Sequence, residues 1–243
     1  MTVMDRLYAK GLVKEFNGKR VVNNVEIELL RGQVIGLLGP NGAGKTTTFY
    51  MIAGLLQPTR GHVYLNEEEI TYVPMHVRAR KGIYYLPQEP SVFRKLTVEE
   101  NLMIILELLE IDKEERKKRL ENLLNELNLK HLAKQKASSL SGGERRRLEI
   151  TRALITQPKF MLLDEPFAGV DPIIVNEIKQ IIRQLKNKGI GIMISDHNVR
   201  ETLSICESAY VISHGEIIDF GPPDQIVRNK RVRDSYLGED FSY

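Results

Sequence analysis

Residues Gly39-Pro40-Asn41-Gly42-Ala43-Gly44-Lys45-Thr46 place the tightest constraint on what this chain can fold into. They fit the spacing G-x-x-x-x-G-K-[ST] and lie between a wholly apolar run, Val34-Ile35-Gly36-Leu37-Leu38, and a stretch from Thr46 to Leu55 that reads as a helix. An apolar run without alternation predicts a strand buried on both faces, which belongs in a parallel sheet covered by helices. The glycines let successive main-chain N–H groups turn toward one point, and a helix starting there aims the positive end of its dipole at the same point. The result is an anion site suited to phosphates. Lys45 adds a full charge for the terminal phosphates, Thr46 offers a hydroxyl to Mg2+, and Thr47 continues the same loop.

The flanking patterns extend this picture. Leu7–Val13 and Val22–Leu30 read as strands broken by Asn17-Gly18 and Arg31-Gly32. Val25-Glu26-Ile27-Glu28-Leu29 alternates, which predicts one wet face. From Thr97 to Leu129 the pattern is helical, opened by a capping box between Thr97 and Glu100, with Leu120, Leu123, Leu124 and Leu127 on one face. Glu114-Glu115-Arg116-Lys117-Lys118-Arg119 reads as a solvated helix face. From Phe160 onward strand and helix alternate: Phe160–Leu163, Ile173–Lys186, Gly191–Ser195, Arg200–Cys206 and Ala209–Ser213. The expectation is an α/β core with a parallel sheet, interrupted by a helical insert.

Composition excludes several classes. In 243 residues, 42% hydrophobic and 28% charged, there is too much apolar material for a disordered chain. The net charge of +3 is too small to argue for a nucleic-acid partner. Apolar runs such as Leu102–Leu106 fall far short of the ~20 residues of a membrane span, and the opening MTVMDRLYAK carries no apolar stretch, so no secretory leader is expected. The one cysteine, Cys206, cannot form an internal disulfide and reads as a small buried hydrophobe, which fits a reducing cytosol.

Two further segments carry chemistry. Phe160-Met161-Leu162-Leu163-Asp164-Glu165 is an apolar strand ending in two acids before Pro166. A buried parallel strand delivers its C-terminal end to the ligand crevice. There Asp164 is placed to hold Mg2+ through water, and Glu165 to orient or deprotonate an attacking water. Successive strand residues point to opposite faces, so both acids reach one site only if the strand ends there. The bland alternative is an ordinary acidic strand end. Leu140-Ser141-Gly142-Gly143-Glu144 precedes a helical run, and Ser141 can cap it. Taken alone, this is equally a plain helix start.

Together these segments resemble an ATP-binding cassette (ABC) ATPase. Gly39–Thr46, Leu140–Glu144 and Leu162–Glu165 stand in the family's order, from phosphate loop through signature to the carboxylate strand. Gln88 in Tyr85-Leu86-Pro87-Gln88 resembles the family's Q-loop, Asp171 in Ala168-Gly169-Val170-Asp171 its D-loop, and His197 its switch histidine. Phe16 stands where the family places an aromatic that stacks on adenine. On the residues alone, Gln88 reads as a surface side chain, Phe16 as core, and Asp196 or His197 as a helix cap.

The resemblance implies a P-loop NTPase (RecA-like) α/β core with an N-terminal antiparallel β subdomain and an inserted α-helical subdomain. The expected division of the single domain 1–243 is a core of 1–90 and 155–243 and a helical subdomain of 91–154. It implies ATP as substrate with Mg2+, the metal held by Thr46, Gln88 and Asp164, and catalysis by Glu165 and His197. Nucleotide would be bound by Phe16, Gly39, Pro40, Asn41, Gly42, Ala43, Gly44, Lys45, Thr46 and Thr47. Leu140, Ser141, Gly142, Gly143 and Glu144 would reach the nucleotide of a second copy in a head-to-tail homodimer. Transmembrane permease subunits would dock their coupling helices near Phe93 and Arg94, although Phe93 also fits as a core residue of the insert. The chain would lie at the cytoplasmic face of a bacterial inner membrane, held there only by partners and without nucleic acid.

Within the family, five stretches resemble the ATPases of lipopolysaccharide exporters: Pro87–Leu96, Leu140–Arg147, Asp164–Pro172, Ser195–Thr202 and Tyr236–Phe241. The last weighs most, because short terminal sequences vary between subfamilies. The alternatives are the ATPase of a branched-chain amino-acid importer, an ABC ATPase acting on nucleic acid or ribosomes, and a nucleotide-gated module that does not hydrolyse. The chain lacks the long insertions or second cassette usual in the nucleic-acid group, and its intact Glu165 and His197 speak against the last.

Overall fold

A computed structural model describes residues 5–239 and 241. The chain opens with a hairpin of β1 (Arg6–Phe16) and β2 (Lys19–Leu30). Its turn, Asn17-Gly18, has φ of 48° and 78°, the two positive values a tight hairpin needs, and this presents Phe16 at the tip. β3 (Val34–Leu38) is buried along its whole length and runs into the phosphate loop and α1 (Lys45–Ala53). β4 (Arg60–Leu65) and β5 (Glu68–Glu69) complete a four-stranded antiparallel sheet in the order β2-β1-β4-β5. α2 (Met75–Arg80) and β6 (Ile83–Leu86) follow.

The helical insert comprises α3 (Val98–Leu106), α4 (Lys113–Glu126) and α5 (Gly142–Leu154). Its core gathers Leu102, Leu106, Leu123, Leu124 and Leu148. The expected helical stretch from Thr97 to Leu129 is in fact two helices: it breaks after Leu106, and Asp112 caps the second by accepting from the Glu115 N–H at 2.9 Å. The capping box of Thr97 with Glu100 is present, and Arg119 pairs with Glu115 one turn away.

The remainder alternates: β7 (Phe160–Asp164), α6 (Pro172–Asn187), β8 (Gly191–Ser195), α7 (Val199–Leu203), β9 (Ser208–Ser213), β10 (Glu216–Gly221) and α8 (Pro223–Arg228). These strands form a six-stranded sheet in the order β10-β9-β3-β8-β7-β6, parallel from β9 to β6, with β10 antiparallel at one edge. Alternate residues feed opposite layers. Ile35, Leu37 and Leu162 join the core shared with α1 and the antiparallel sheet, while Val34, Met161, Leu163, Ile192 and Ile194 join the core under α6. No helix among the described residues is long and apolar enough to cross a membrane.

Two consequences matter for the site. Neighbouring parallel strands β3, β8 and β7 all end at one edge, so the phosphate loop, Asp196-His197 and Asp164-Glu165 converge there. The far end of α1 is held by Arg78, a fully buried guanidinium that donates to the carbonyls of Met51, Ile52, Thr71 and Val73. Cations at a helix C-terminus satisfy its unpaired carbonyls and complement its dipole. Burial lowers the Arg78 pKa to about 10, which leaves the guanidinium charged at neutral pH.

Candidate functional site

The phosphate loop depends on glycine at two places. Gly39 has φ 151°, and a Cβ there would sit 2.1 Å from the Ile212 carbonyl oxygen. Gly44 has φ 109°, and a Cβ there would sit 2.8 Å from the Val21 oxygen. Gly44 is also the N-cap of α1 and supplies no side-chain cap, and the first turn carries no acid. The helices α3, α4, α5, α6 and α7 are capped by Thr97, Asp112, Ser141, Asp171 and Asn198, whereas α2 and α8, like α1, have no side-chain cap. The start of α1 thus has no side-chain acceptor of its own competing for its amides, as an anion site requires.

Lys45 is buried, and its ammonium donates to the carbonyls of Gly39 at 2.6 Å and Pro40 at 2.9 Å. Burial lowers its pKa, while Glu165 and Asp164 pull the other way. The two acids do reach one site. β7 ends at Asp164, and Glu165 takes φ 46°, a left-handed conformation rare for a non-glycine residue. That turn brings Glu165 Oε1 within 2.6 Å of His197 Nε2, and its N–H donates to Ser195 O at 2.6 Å. Asp164 is 5% exposed, and burial raises its pKa.

Thr46, Gln88, Asp164 and Glu165 line a cleft of about 240 Å³. None of Leu140–Glu144 lines it. Gly142 borders a second cleft of about 480 Å³, which Gln88 and Glu165 also line. Ser141 and Glu144 form a reciprocal capping box, and Gly143 is buried against Ile174. Asp171 caps α6 through the N–H groups of Ile173 and Ile174, both at 3.0 Å. Phe16 is 44% exposed, with the Lys14 ammonium 5.1 Å from its ring centroid. Phe93 is 45% exposed rather than packed inside the insert, and the Arg152 guanidinium lies 4.9 Å from its ring; Arg94 is exposed beside it. Cys206 is buried, and that burial pushes its thiol pKa up.

Sequence reading missed several contributors. Asp196 does not cap α7; Asn198 does. The buried Asp196 carboxylate instead accepts from Phe167 N–H and Asn198 N–H, both at 2.8 Å, which ties the segment after the carboxylate pair to the segment carrying His197. Tyr85 donates from its phenol to Asp164. Arg146 and Glu149 form a buried ion pair on α5. Arg146 donates to Pro87 O and Glu149 accepts from Ser91 N–H, so the helix following Ser141 grips the segment on either side of Gln88. The contacts of these side chains with Phe167, Asp164, Pro87 and Ser91 join residues 29 to 79 positions apart, and nothing local in the sequence announces them.

A glycine-bent loop at the uncapped start of a helix, with a buried lysine, beside a carboxylate pair and a histidine defines the class: a P-loop nucleoside triphosphatase. Residues 22–168 match the family described as ABC transporter, and residues 220–242 match one described as branched-chain amino acid ATP-binding cassette transporter. The chain is 54% identical to the lipopolysaccharide export system ATP-binding protein LptB of Acidithiobacillus ferridurans, across 97% of this chain and 98% of that one. Its fold is similar to the crystal structure of the ADP conformation of an ATP-binding cassette of an ABC transporter, with a TM-score of 0.87, 31% identity, and coverage of 98% and 100% of the two chains. It is also similar to a dimeric ATP-binding cassette in a post-hydrolysis state bound to ADP and Pi, with a TM-score of 0.76, 25% identity, and coverage of 89% and 98%.

The chain belongs to the ABC transporter ATP-binding family and is an ATP-hydrolysing ABC ATPase. One expectation needs correction. The terminal stretch Tyr236–Phe241 was expected to discriminate best between subfamilies, yet it lies within the segment matched by the branched-chain amino acid family. It does not separate exporter from importer; identity along the whole chain carries that weight. Asp240, inside that stretch, lies outside the described residues.

Proposed function

We propose that this chain is the ATPase subunit of a lipopolysaccharide exporter, working as a head-to-tail pair under transmembrane permease subunits at the cytoplasmic face of a bacterial inner membrane. The observation that carries the reading is its 54% identity to LptB over nearly the whole of both chains.

In this reading Phe16 stacks on adenine, and the loop from Gly39 to Thr47 holds the phosphates with its amides and the Lys45 ammonium. The accompanying Mg2+ would be held by Thr46, by Gln88 and, through water, by Asp164. These are oxygen donors on one cleft, the set a hard cation prefers. Bound there, the metal supplies charge neutralisation on the phosphate oxygens. Glu165 orients the attacking water and takes its proton, and His197, whose Nε2 lies 2.6 Å from Glu165 Oε1, would reach the terminal phosphate. Leu140–Glu144 of a second copy would complete each site, with Asp171 at the junction. Gln88 lines both clefts, so a change at the nucleotide reaches the segment leading to Phe93 and Arg94, where a coupling helix would dock.

A second reading, the ATPase of a branched-chain amino-acid importer, is favoured by the match over residues 220–242. Affinity purification of the tagged chain from detergent-solubilised membranes separates the two. Recovery of permease subunits that carry lipopolysaccharide supports the exporter; recovery of an amino-acid permease contradicts it. In the same experiment Phe93→Ala is expected to lower recovery of the permease while leaving ATP binding intact, and unchanged recovery removes Phe93 from the docking surface.

A further inference from the structure

The carboxylate of Asp164 has a partner that neither the phosphate loop nor the carboxylate pair accounts for. The phenol of Tyr85, 79 residues away in sequence, donates to Asp164 Oδ2 at 3.0 Å. Tyr85 stands on β6, beside Leu162 of β7, two residues before Asp164. The ring of Tyr50 meets the Tyr85 ring edge-on, with centroids 5.9 Å apart and planes at 90°. Tyr50 follows Thr46 by four residues on α1, so both project from one helix face. Thr46, Tyr50, Tyr85, Gln88 and Asp164 border the same cleft.

A carboxylate that holds a cation through water must keep one oxygen turned toward that water. The terminal torsion of an aspartate is broad, so a lone carboxylate swings. A phenol fixed on Oδ2 removes that freedom and leaves Oδ1 for the cleft. The edge-on contact with Tyr50 restrains the phenol in turn.

We propose that Tyr85 is a positioning residue for the divalent cation that accompanies the nucleotide: it acts through Asp164, with Tyr50 as its brace. The proposal rests on the reading of Asp164 as the carboxylate on the metal side. It differs from a purely structural role, in which the phenol only satisfies a buried oxygen.

The test is equilibrium binding of a fluorescent ATP analogue to the full chain, titrated with Mg2+ and repeated in excess EDTA, for wild type, Tyr85→Phe and Asp164→Asn. Phenylalanine keeps the ring and its contact with Tyr50. Tyr85→Phe is expected to hold the metal-free affinity within about twofold and to raise the half-saturating Mg2+ concentration about tenfold, as loss of a group orienting a metal ligand does. Asp164→Asn is expected to raise it at least as much. If Asp164→Asn loses the Mg2+ response and Tyr85→Phe keeps that of wild type, Tyr85 does not position the metal and the proposal is overturned alone. Equal weakening with and without Mg2+ in Tyr85→Phe assigns the phenol a structural role and overturns it too. An unaltered Mg2+ response in Asp164→Asn overturns the metal reading of Asp164, and this proposal with it.

Discussion

His197 Nε2 lies 2.6 Å from Glu165 Oε1, closing a bridge between the ends of β8 and β7. The two strands run parallel and adjacent, with Asp164 opposite Ser195, so residues just beyond their ends come together without any long loop. The bridge also needs the backbone of Glu165 to turn out of line, which it does at φ 46°. Such a conformation costs roughly 1–3 kcal/mol and persists where surrounding contacts hold it. Here the Glu165 N–H to Ser195 O bond and the Asp196 contacts with Phe167 and Asn198 do so.

The first prediction concerns that pair. Glu165→Gln keeps the shape of the side chain and removes its basicity. Steady-state ATP hydrolysis is expected to fall by about 10²–10⁴-fold, the usual worth of a positioned general base. Nucleotide binding should survive, and a closed dimer should accumulate with ATP on size-exclusion chromatography. Equal hydrolysis rates in wild type and variant would remove Glu165 from the mechanism.

A second prediction follows from the burial of Asp164, which raises its pKa above the ordinary 3.8. For an acid shifted upward, the folded state holds its proton more tightly than the unfolded state does. Stability therefore falls as pH rises from the unfolded pKa through the folded one. Asp164→Asn escapes this cost. In thermal denaturation without nucleotide it is expected to melt higher than wild type at pH 7, on the order of 2–4 °C for each kcal/mol relieved. The advantage should vanish below about pH 3.8, where both forms are neutral. A variant that melts lower at pH 7 would contradict the argument.

Arg78 gives the third. It is fully buried and satisfies four carbonyls, two of them at the C-terminal turn of α1. Arg78→Ala leaves those acceptors without donors, at about 1–3 kcal/mol for each group that stays dry. A lowered denaturation midpoint with weakened nucleotide binding is expected, because α1 carries Lys45 and Thr46. Arg78→Lys should recover only part, since an ammonium lacks the planar fork. Wild-type stability in Arg78→Ala would show that water replaces the guanidinium.

How much of this the sequence disclosed depends on the range of each interaction. The phosphate loop was legible because its spacing is local: Gly39, Gly44, Lys45 and Thr46 fall within eight residues, while the approach of the Ile212 and Val21 oxygens that also demands glycine there was not visible. The Asp164-Glu165 strand end was legible because the period of a strand forces the chain to turn there. The parallel sheet followed from apolar runs that a strand buried on both faces accepts, whereas the order of β3, β8 and β7 within it did not. The break after Leu106 was hidden, because Leu108 and Leu109 continue the apolar pattern and neither glycine nor proline marks the stop. Arg78, Tyr85 and the Arg146–Glu149 pair were hidden for another reason. A polar side chain in a sequence looks like surface until the fold reveals which distant carbonyl or carboxylate it satisfies.

The central claim is that a glycine-bent loop and one ammonium at the start of α1 bind the phosphates of ATP. Isothermal titration of the purified full chain with magnesium-ATP, set beside Lys45→Ala, tests it most directly. Saturable binding by wild type, weakened at least about tenfold by loss of a charge-assisted contact in the variant, is the predicted result. No binding by wild type, or the same affinity in both proteins, would contradict the account.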